Sequence, residues 1–382
     1  MRLYYIVVTI ITLSFESFFM VTITLVLLIL KGLASGQSYE KIKYIEGIKP
    51  LHYVVQRAIG DINIDGRLDE PSWQRAKWTS FFVDIEGALG PIPRLTTRAK
   101  MTWDDEFFYI AADIEDPHVW ASIKDRDAVI YRDNDFEVFI DPDGDSHLYY
   151  EFEMNALGTE WDLLLPKPYR DGGLFINAWN IEGLESAVQV WGTINNPLDV
   201  DQGWSLEIAF PWNVLQQGNN RRIKDVVGQI WRVNFSRVQW GLDVVDGSYK
   251  KIQGNSEDNW VWSPQGLVDM HYPEKWGYVL FSENQVGKPV PNFEKPRTEK
   301  AKEILRSIYY REKEFFKFNG FYTINLDSLD IDFPIMPDFI WPPKLRASEF
   351  SFEASLEEVV DLEEDGSINQ WHINSDGRIT KR

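Results

Sequence analysis

The sequence predicts an all-β protein, an antiparallel β-sandwich followed by a small α+β C-terminal region. Between Thr96 and Phe281 apolar residues recur at every second position in short runs, and turn residues separate those runs. Little of that stretch has helical spacing, which points to packed antiparallel sheets. Apolar residues make up 44% and aromatic residues 14% of 382, enough for a large core and incompatible with global disorder.

Taken in order, residues 1–36 are mostly apolar and end in Ala34-Ser35-Gly36 before Gln37, the pattern of a signal peptide. Glu16 splits the segment into two apolar blocks, so an uncleaved anchor using residues 3–30 is the alternative. Either reading implies export, to a periplasmic, cell-surface or secreted location. Residues 37–58 read as a linker, and the sandwich is expected over 59–282. Ile62 and Ile64 begin it, Asp65-Gly66 turns the chain, and Pro71 opens a helical turn seated by Leu68, Trp73 and Ala76. Strands are expected at Thr96–Trp103, Phe107–Glu115, Ala187–Trp191, Trp204–Phe210, Trp231–Arg237, Asn259–Trp262 and Trp276–Phe281. Trp191, Trp204, Trp212, Trp262, Trp276 and Tyr278 read as core. A Pro-containing linker follows over 283–300, and then an appendage over 301–382 whose helix carries Ile304, Leu305, Ile308 and Tyr309 and ends at Asn319-Gly320.

The most informative stretch is Tyr131–Gly158, two alternating runs around Pro142-Asp143-Gly144-Asp145. A hairpin centred near Gly144 puts Phe136, Val138 and Ile140 on one face with Leu148, Tyr150, Phe152 and Met154. The other face then sets Asp135, Glu137, Phe139 and Asp141 opposite Glu153, Glu151, Tyr149 and His147. Like charges opposed across strands are destabilising unless something neutralises them. A metal ion, an arginine from the next strand, or a hydroxyl-rich ligand would each do so. Arg232, on the same strand face as Asn234, is the arginine placed to offset Glu137 and Glu151.

Composition excludes several functions. A net charge of −20 repels nucleic acid and anionic lipid and suits neutral or cationic partners. Absence of Cys removes disulfides, thiolate metal sites and thiol catalysis. The five histidines lack HExxH spacing, so zinc is not expected, and no GxSxG elbow is present. Asp141, Asp143 and Asp145 alternate as in a metal-binding turn, without the glutamate of an EF-hand. With Asp133 and Asp135 they form the candidate set for a structural calcium ion.

Six segments in order carry a resemblance: IDGRLDEPSW from Ile64, WDDEFFYIAADIED from Trp103, NDFEVFIDPDGD from Asn134, YYEFEMNALG from Tyr149, WSLEIAFPW from Trp204 and NWVWSPQGLVDMHYPEKWGYVLF from Asn259. Across 59–282 the chain resembles carbohydrate-binding module family 9. The resemblance implies a β-sandwich that often holds calcium and binds glycan chain ends between two aromatic rings, commonly beside glycosidases and in support of carbohydrate catabolism. It places the family's acceptor glutamate on Glu137, one stacking tryptophan on Tyr131, and polar partners on Asn155 and Asn234. Two positions depart: Glu153 stands where an arginine is usual, and Met270, followed by His271, stands where the second tryptophan is usual. The expected ligand-binding set is therefore Tyr131, Glu137, Glu151, Glu153, Asn155, Arg232, Asn234, Met270 and His271, for a poly- or oligosaccharide, with no catalytic residue. Two alternatives stay open. A glycoside hydrolase would use paired carboxylates ~5–9 Å apart, such as Glu137 with Glu151 or Glu153. A cell-surface scaffold would use the appendage to dock partners.

Overall fold

The computed structural model describes residues 38, 40–217, 226–331, 336–359 and 369–382. The expected signal peptide or anchor of residues 1–36 lies outside them. Among the described residues no helix is long and apolar enough to cross a membrane. The chain divides into two compact units, one of residues 48–300 with Asp376–Thr380, and one of the remaining N- and C-terminal residues.

The larger unit is mostly β, as expected. Its strands are β1 His52–Arg57, β2 Val83–Asp84, β3 Thr97–Trp103, β4 Phe107–Glu115, β5 Asp135–Asp141, β6 Tyr149–Asn155 and β7 Glu160–Leu165. They continue with β8 Glu185–Trp191, β9 Gly203–Pro211, β10 Ile230–Gln239, β11 Leu242–Val245, β12 Ser248–Lys251, β13 Asp258–Val261 and β14 Gly277–Gln285. Ten form a path β7-β6-β5-β10-β14-β1-β3-β4-β9-β8, with β13 and β2 branching from β10, while β11 and β12 make a separate ribbon. The two layers are thus one curled sheet wrapped on a single core. Phe152 of β6 meets Phe210 of β9 edge-on at 5.8 Å, and Phe281 of β14 meets Phe108 of β4 at 5.3 Å, so residues far apart along the sheet pack face to face.

Two expectations are corrected here. The sheet is not wholly antiparallel, because β1 pairs in parallel with both β14 and β3. Nor are residues 37–58 a linker: residues 40–47 are helical, and β1 occupies the middle of the sheet with Val55 fully buried. The run HYVVQR is too short and too weakly alternating to announce itself as a strand. At the other end β14 continues to Gln285 and Val286 is buried, so the sandwich extends beyond 282. Trp204, Trp212, Trp262, Trp276 and Tyr278 are core residues as expected, whereas Trp191 is 39% exposed at the edge strand β8. The short helix Pro71–Arg75 has Pro at its start and fully buries Trp73, whose indole donates to Glu207 Oε1 at 2.6 Å.

The helix Arg297–Asn319 begins in the larger unit and belongs to the smaller one from Ala301 on, where it is closed by Gly320 at φ 78°; the smaller unit also contains antiparallel strands β15 Lys344–Ala347, β16 Phe352–Glu357 and β17 Gln370–Asn374. Within it Glu46 accepts from the Ser307 hydroxyl and from Arg311 at 3.2 Å.

The central place of β1 has a direct test. Val55→Ala should cost about 2 kcal/mol, the range for trimming a buried aliphatic side chain, in urea denaturation. A residue in a linker would leave the midpoint unchanged.

Candidate functional site

Alternation decides what β5 and β6 show to each layer. Phe136, Val138 and Ile140 enter the main core with Tyr150, Phe152 and Met154. Asp135, Glu137 and Phe139, with Glu151 and Glu153, are thereby turned to the opposite face. The register differs from the expected one by two residues: Glu137 faces Glu153, Phe139 faces Glu151 and Asp135 faces Asn155. The reason is a longer turn. Asp141 accepts from Gly144 N at 3.0 Å and Ser146 N at 2.9 Å, Ser146 and Leu148 take positive φ, and β6 begins only at Tyr149.

That face is not open to water. It floors a cleft of about 590 Å³ lined by Tyr131, Glu137, Glu151, Glu153, Met270 and His271 among others. Six of the nine expected ligand-binding residues therefore come together. Phe139, Trp161, Leu163, Met270 and Trp276 belong to one apolar cluster beneath and around it. Among the described residues the cleft lining contains no Lys or Arg, and Glu257 and Asp269 add two further carboxyls.

The other three expected residues are structural. Asn155 donates to Ile123 O and Asp133 Oδ2 and accepts from Leu157 N and Thr159 N, closing the turn after β6. Asn234 is locked to the backbone of Ser263, donating to its carbonyl at 2.8 Å and accepting from its N–H at 2.9 Å. Arg232 does not offset Glu137 or Glu151. It donates to Glu299 Oε2 at 2.7 Å and Trp276 O at 3.0 Å, and lies 3.6 Å over the Tyr278 ring.

Met270 fills the cleft wall, and its carbonyl accepts from Trp276 Nε1 at 2.8 Å. His271 meets the Tyr149 hydroxyl at 2.9 Å through Nδ1, and burial, aided by the Arg170 charge, pushes its pKa down to about 3. It is therefore a neutral ring at physiological pH. Tyr169 stands edge-on to it at 4.2 Å.

The sequence reading missed Tyr169 and Phe175, both in the loop PKPYRDGGLFIN. Their signal was the Gly172-Gly173 pair. Gly172 has φ +76°, and a Cβ on Gly173 would collide with the Lys167 carbonyl oxygen, so both positions require glycine. The tight turn that results leaves Tyr169 40% exposed on the cleft, comparable to Tyr131 at 41%.

The five aspartates expected to share a metal do not form one group. Asp133 accepts from Ser122 N and Oγ, Ile123 N and Asn155 Nδ2, which fills it with protein donors. Asp141, Asp143 and Asp145 cluster in the turn, where Asp145 also accepts from His147 N and pairs with Arg378 at 2.9 Å. Asp135 clusters instead with Glu137 and Glu153.

Burial, reinforced by mutual repulsion, raises the pKa of Asp135, Glu151 and Glu153 well above the carboxylate range. Burial alone is the main cause for Glu137, whose pKa rises to about 7. The cleft walls supply the burial.

Residues 64–228 match the family model described as Carbohydrate family 9 binding domain-like. Curated relatives include Endo-1,4-beta-xylanase A of Thermoanaerobacterium saccharolyticum, 26% identical over 156 residues, and Exoglucanase XynX of Acetivibrio thermocellus, 26% identical over 149 residues. The matches cover 41% and 39% of this chain but only 11% of each relative. Among solved structures, a family 9 carbohydrate-binding module of Caldicellulosiruptor kristjanssonii, in complexes with cellotriose and with glucose, aligns over 63% of this chain and 100% of its own. Its identity is 14% and its TM-score 0.41 in both complexes.

Two outcomes follow from the burial pattern. The folded chain holds carboxyl protons that the unfolded chain releases, so stability should fall as pH rises from about 4.5 toward 7 and beyond. Melting in chelator should be several degrees higher at pH 5.5 than at pH 8, and Glu137→Gln should flatten that slope. Separately, Arg232→Met should cost roughly 3 kcal/mol in chemical denaturation, the range for breaking a buried ion pair from one side, while leaving cleft binding intact.

Proposed function

We propose that this chain is a carbohydrate-binding protein that captures glycan chain ends in the cleft on the β5–β6 face. The single observation that carries the reading is the pairing of two half-exposed tyrosines, Tyr131 and Tyr169, on a cleft with buried carboxyls. Flat rings take the C–H faces of sugars, and carboxyl oxygens accept from their hydroxyls. Tyr169 takes the place that Met270 cannot fill as a second ring. The relatives' activities are those of much longer proteins, and their matches to this chain involve a binding domain; support of a neighbouring glycosidase in carbohydrate catabolism is accordingly the role proposed. Export from residues 1–36 fits that role.

A second reading has one observation in its favour. Glu137 has the raised pKa of a general acid, and Glu153 faces it across the strand pair. A retaining or inverting hydrolase also needs an ionised partner carboxylate. Here Asp135, Glu151 and Glu153 are pushed toward the protonated form, which disfavours hydrolysis.

Tyr131→Ala and Tyr169→Ala should each weaken binding of an oligosaccharide panel about tenfold in calorimetry, the scale of ~1 kcal/mol or more for a lost aromatic platform. Unchanged affinity in both places the glycan elsewhere. The same panel followed for reducing ends over a day should show no release. Release abolished by Glu137→Gln would favour the hydrolase.

A further inference from the structure

The floor of the cleft has a feature that sugar recognition by itself leaves unexplained. Glu153, Glu137 and Ser236 stand side by side on β6, β5 and β10, and Asp135 lies one step along on the same face. All four are almost fully buried. One carboxylate oxygen from each of Asp135, Glu137 and Glu153 comes within 4.8 Å of the other two. Asp135 Oδ2, in that trio and fully buried, has no hydrogen-bond partner, whereas Ser236 and Glu151 bond to Glu137 and Glu153. Buried polar atoms are normally paired, so an orphan oxygen within a trio of buried carboxyls marks a missing partner. That partner is a cation, because every group offered is an oxygen and no Lys or Arg among the described residues lines the cleft.

We propose that the floor of the cleft is a calcium site, held by Asp135, Glu137 and Glu153, with its open coordination positions facing the ligand. An all-oxygen donor set without His or Cys selects a hard cation. Calcium–oxygen bonds of about 2.4 Å require any two ligating oxygens to lie within twice that length of each other, a condition these three meet. Magnesium, at about 2.0–2.1 Å and near-ideal octahedral geometry, demands a tighter arrangement than side chains on adjacent strands provide. Calcium takes six to eight oxygens, roughly, so three carboxyls leave positions for water, Glu151 or vicinal sugar hydroxyls. The last part, that glycan hydroxyls complete the sphere, rests on the carbohydrate reading above. The site is distinct from the turn Asp141–Asp145, whose carboxylates are engaged by backbone N–H groups and by Arg378.

Terbium luminescence on the full chain tests the ion directly, because Trp161 lines the cleft and can sensitise a bound lanthanide. Terbium should bind, calcium should displace it, and magnesium should do so far less well. Asp135→Asn and Glu153→Gln should each weaken calcium at least tenfold, while Asp143→Asn leaves this signal unchanged. Melting in chelator keeps the result readable: the two variants should melt no lower than the wild type, since each replaces a crowded buried carboxyl with a neutral amide of the same shape. Absence of cation binding in millimolar calcium, or wild-type affinity in both neutral variants, overturns the proposal. A glycan panel run with calcium and with chelator separates it from the carbohydrate reading. Binding lost in chelator supports the bridge. Equal binding in both conditions overturns the bridge and keeps the glycan reading; so does binding confined to amino sugars, whose ammonium would be the missing cation. Calcium bound on the floor with no glycan retained overturns the glycan reading and keeps the ion site.

Discussion

A single geometric constraint governs this domain: a strand cannot bury one face without presenting the other. Phe136, Val138 and Ile140 anchor β5 in the core with their counterparts on β6, and period-two alternation then commits Asp135, Glu137, Glu151 and Glu153 to the second face. Were that face solvated, the carboxyls would be an ordinary acidic patch. Phe139, Trp161, Leu163 and Met270 wall it instead, and transfer of a charge from water into such a place costs several kcal/mol. The carboxyls respond by holding protons, and the cost of ionising them there is the standing strain of the molecule. Any ligand that enters the cleft is selected by how well it relieves that strain.

The apolar half of this arrangement was legible in the sequence and the polar half only partly. Alternation named most of the strands from Thr97 to Phe281 but not β7, β11 or β12, and it sorted the residues of β5 and β6 onto the correct faces. It could not set the register, because the turn's length depends on Asp141 reaching the N–H groups of Gly144 and Ser146. Facing pairs therefore shifted while faces did not.

Candidate site residues divided along a similar line. Groups on β5 and β6 reached the cleft because alternation put them there. Asn155 and Asn234 did not, since an amide that binds a sugar and one that clamps a backbone have the same sequence signature. Arg232 found Glu299, a partner 67 positions away that no local pattern connects to it. Tyr169 and Phe175 needed the geometry of a glycine turn before their rings could be placed.

The strand His52–Arg57 also sets the order of assembly. Its neighbours are Tyr278–Phe281 on one side and Thr102–Trp103 on the other, so nearly the whole domain must be available before it can dock on both. Closing a loop of that length costs entropy that local contacts do not repay in advance, and such non-local pairing is slow. Until it closes, β3 and β10 both present unpaired edges with apolar faces, and open edges pair with whatever strand arrives first. The interval before β14 and β1 settle between them is when this protein is most exposed to misassociation with its own copies.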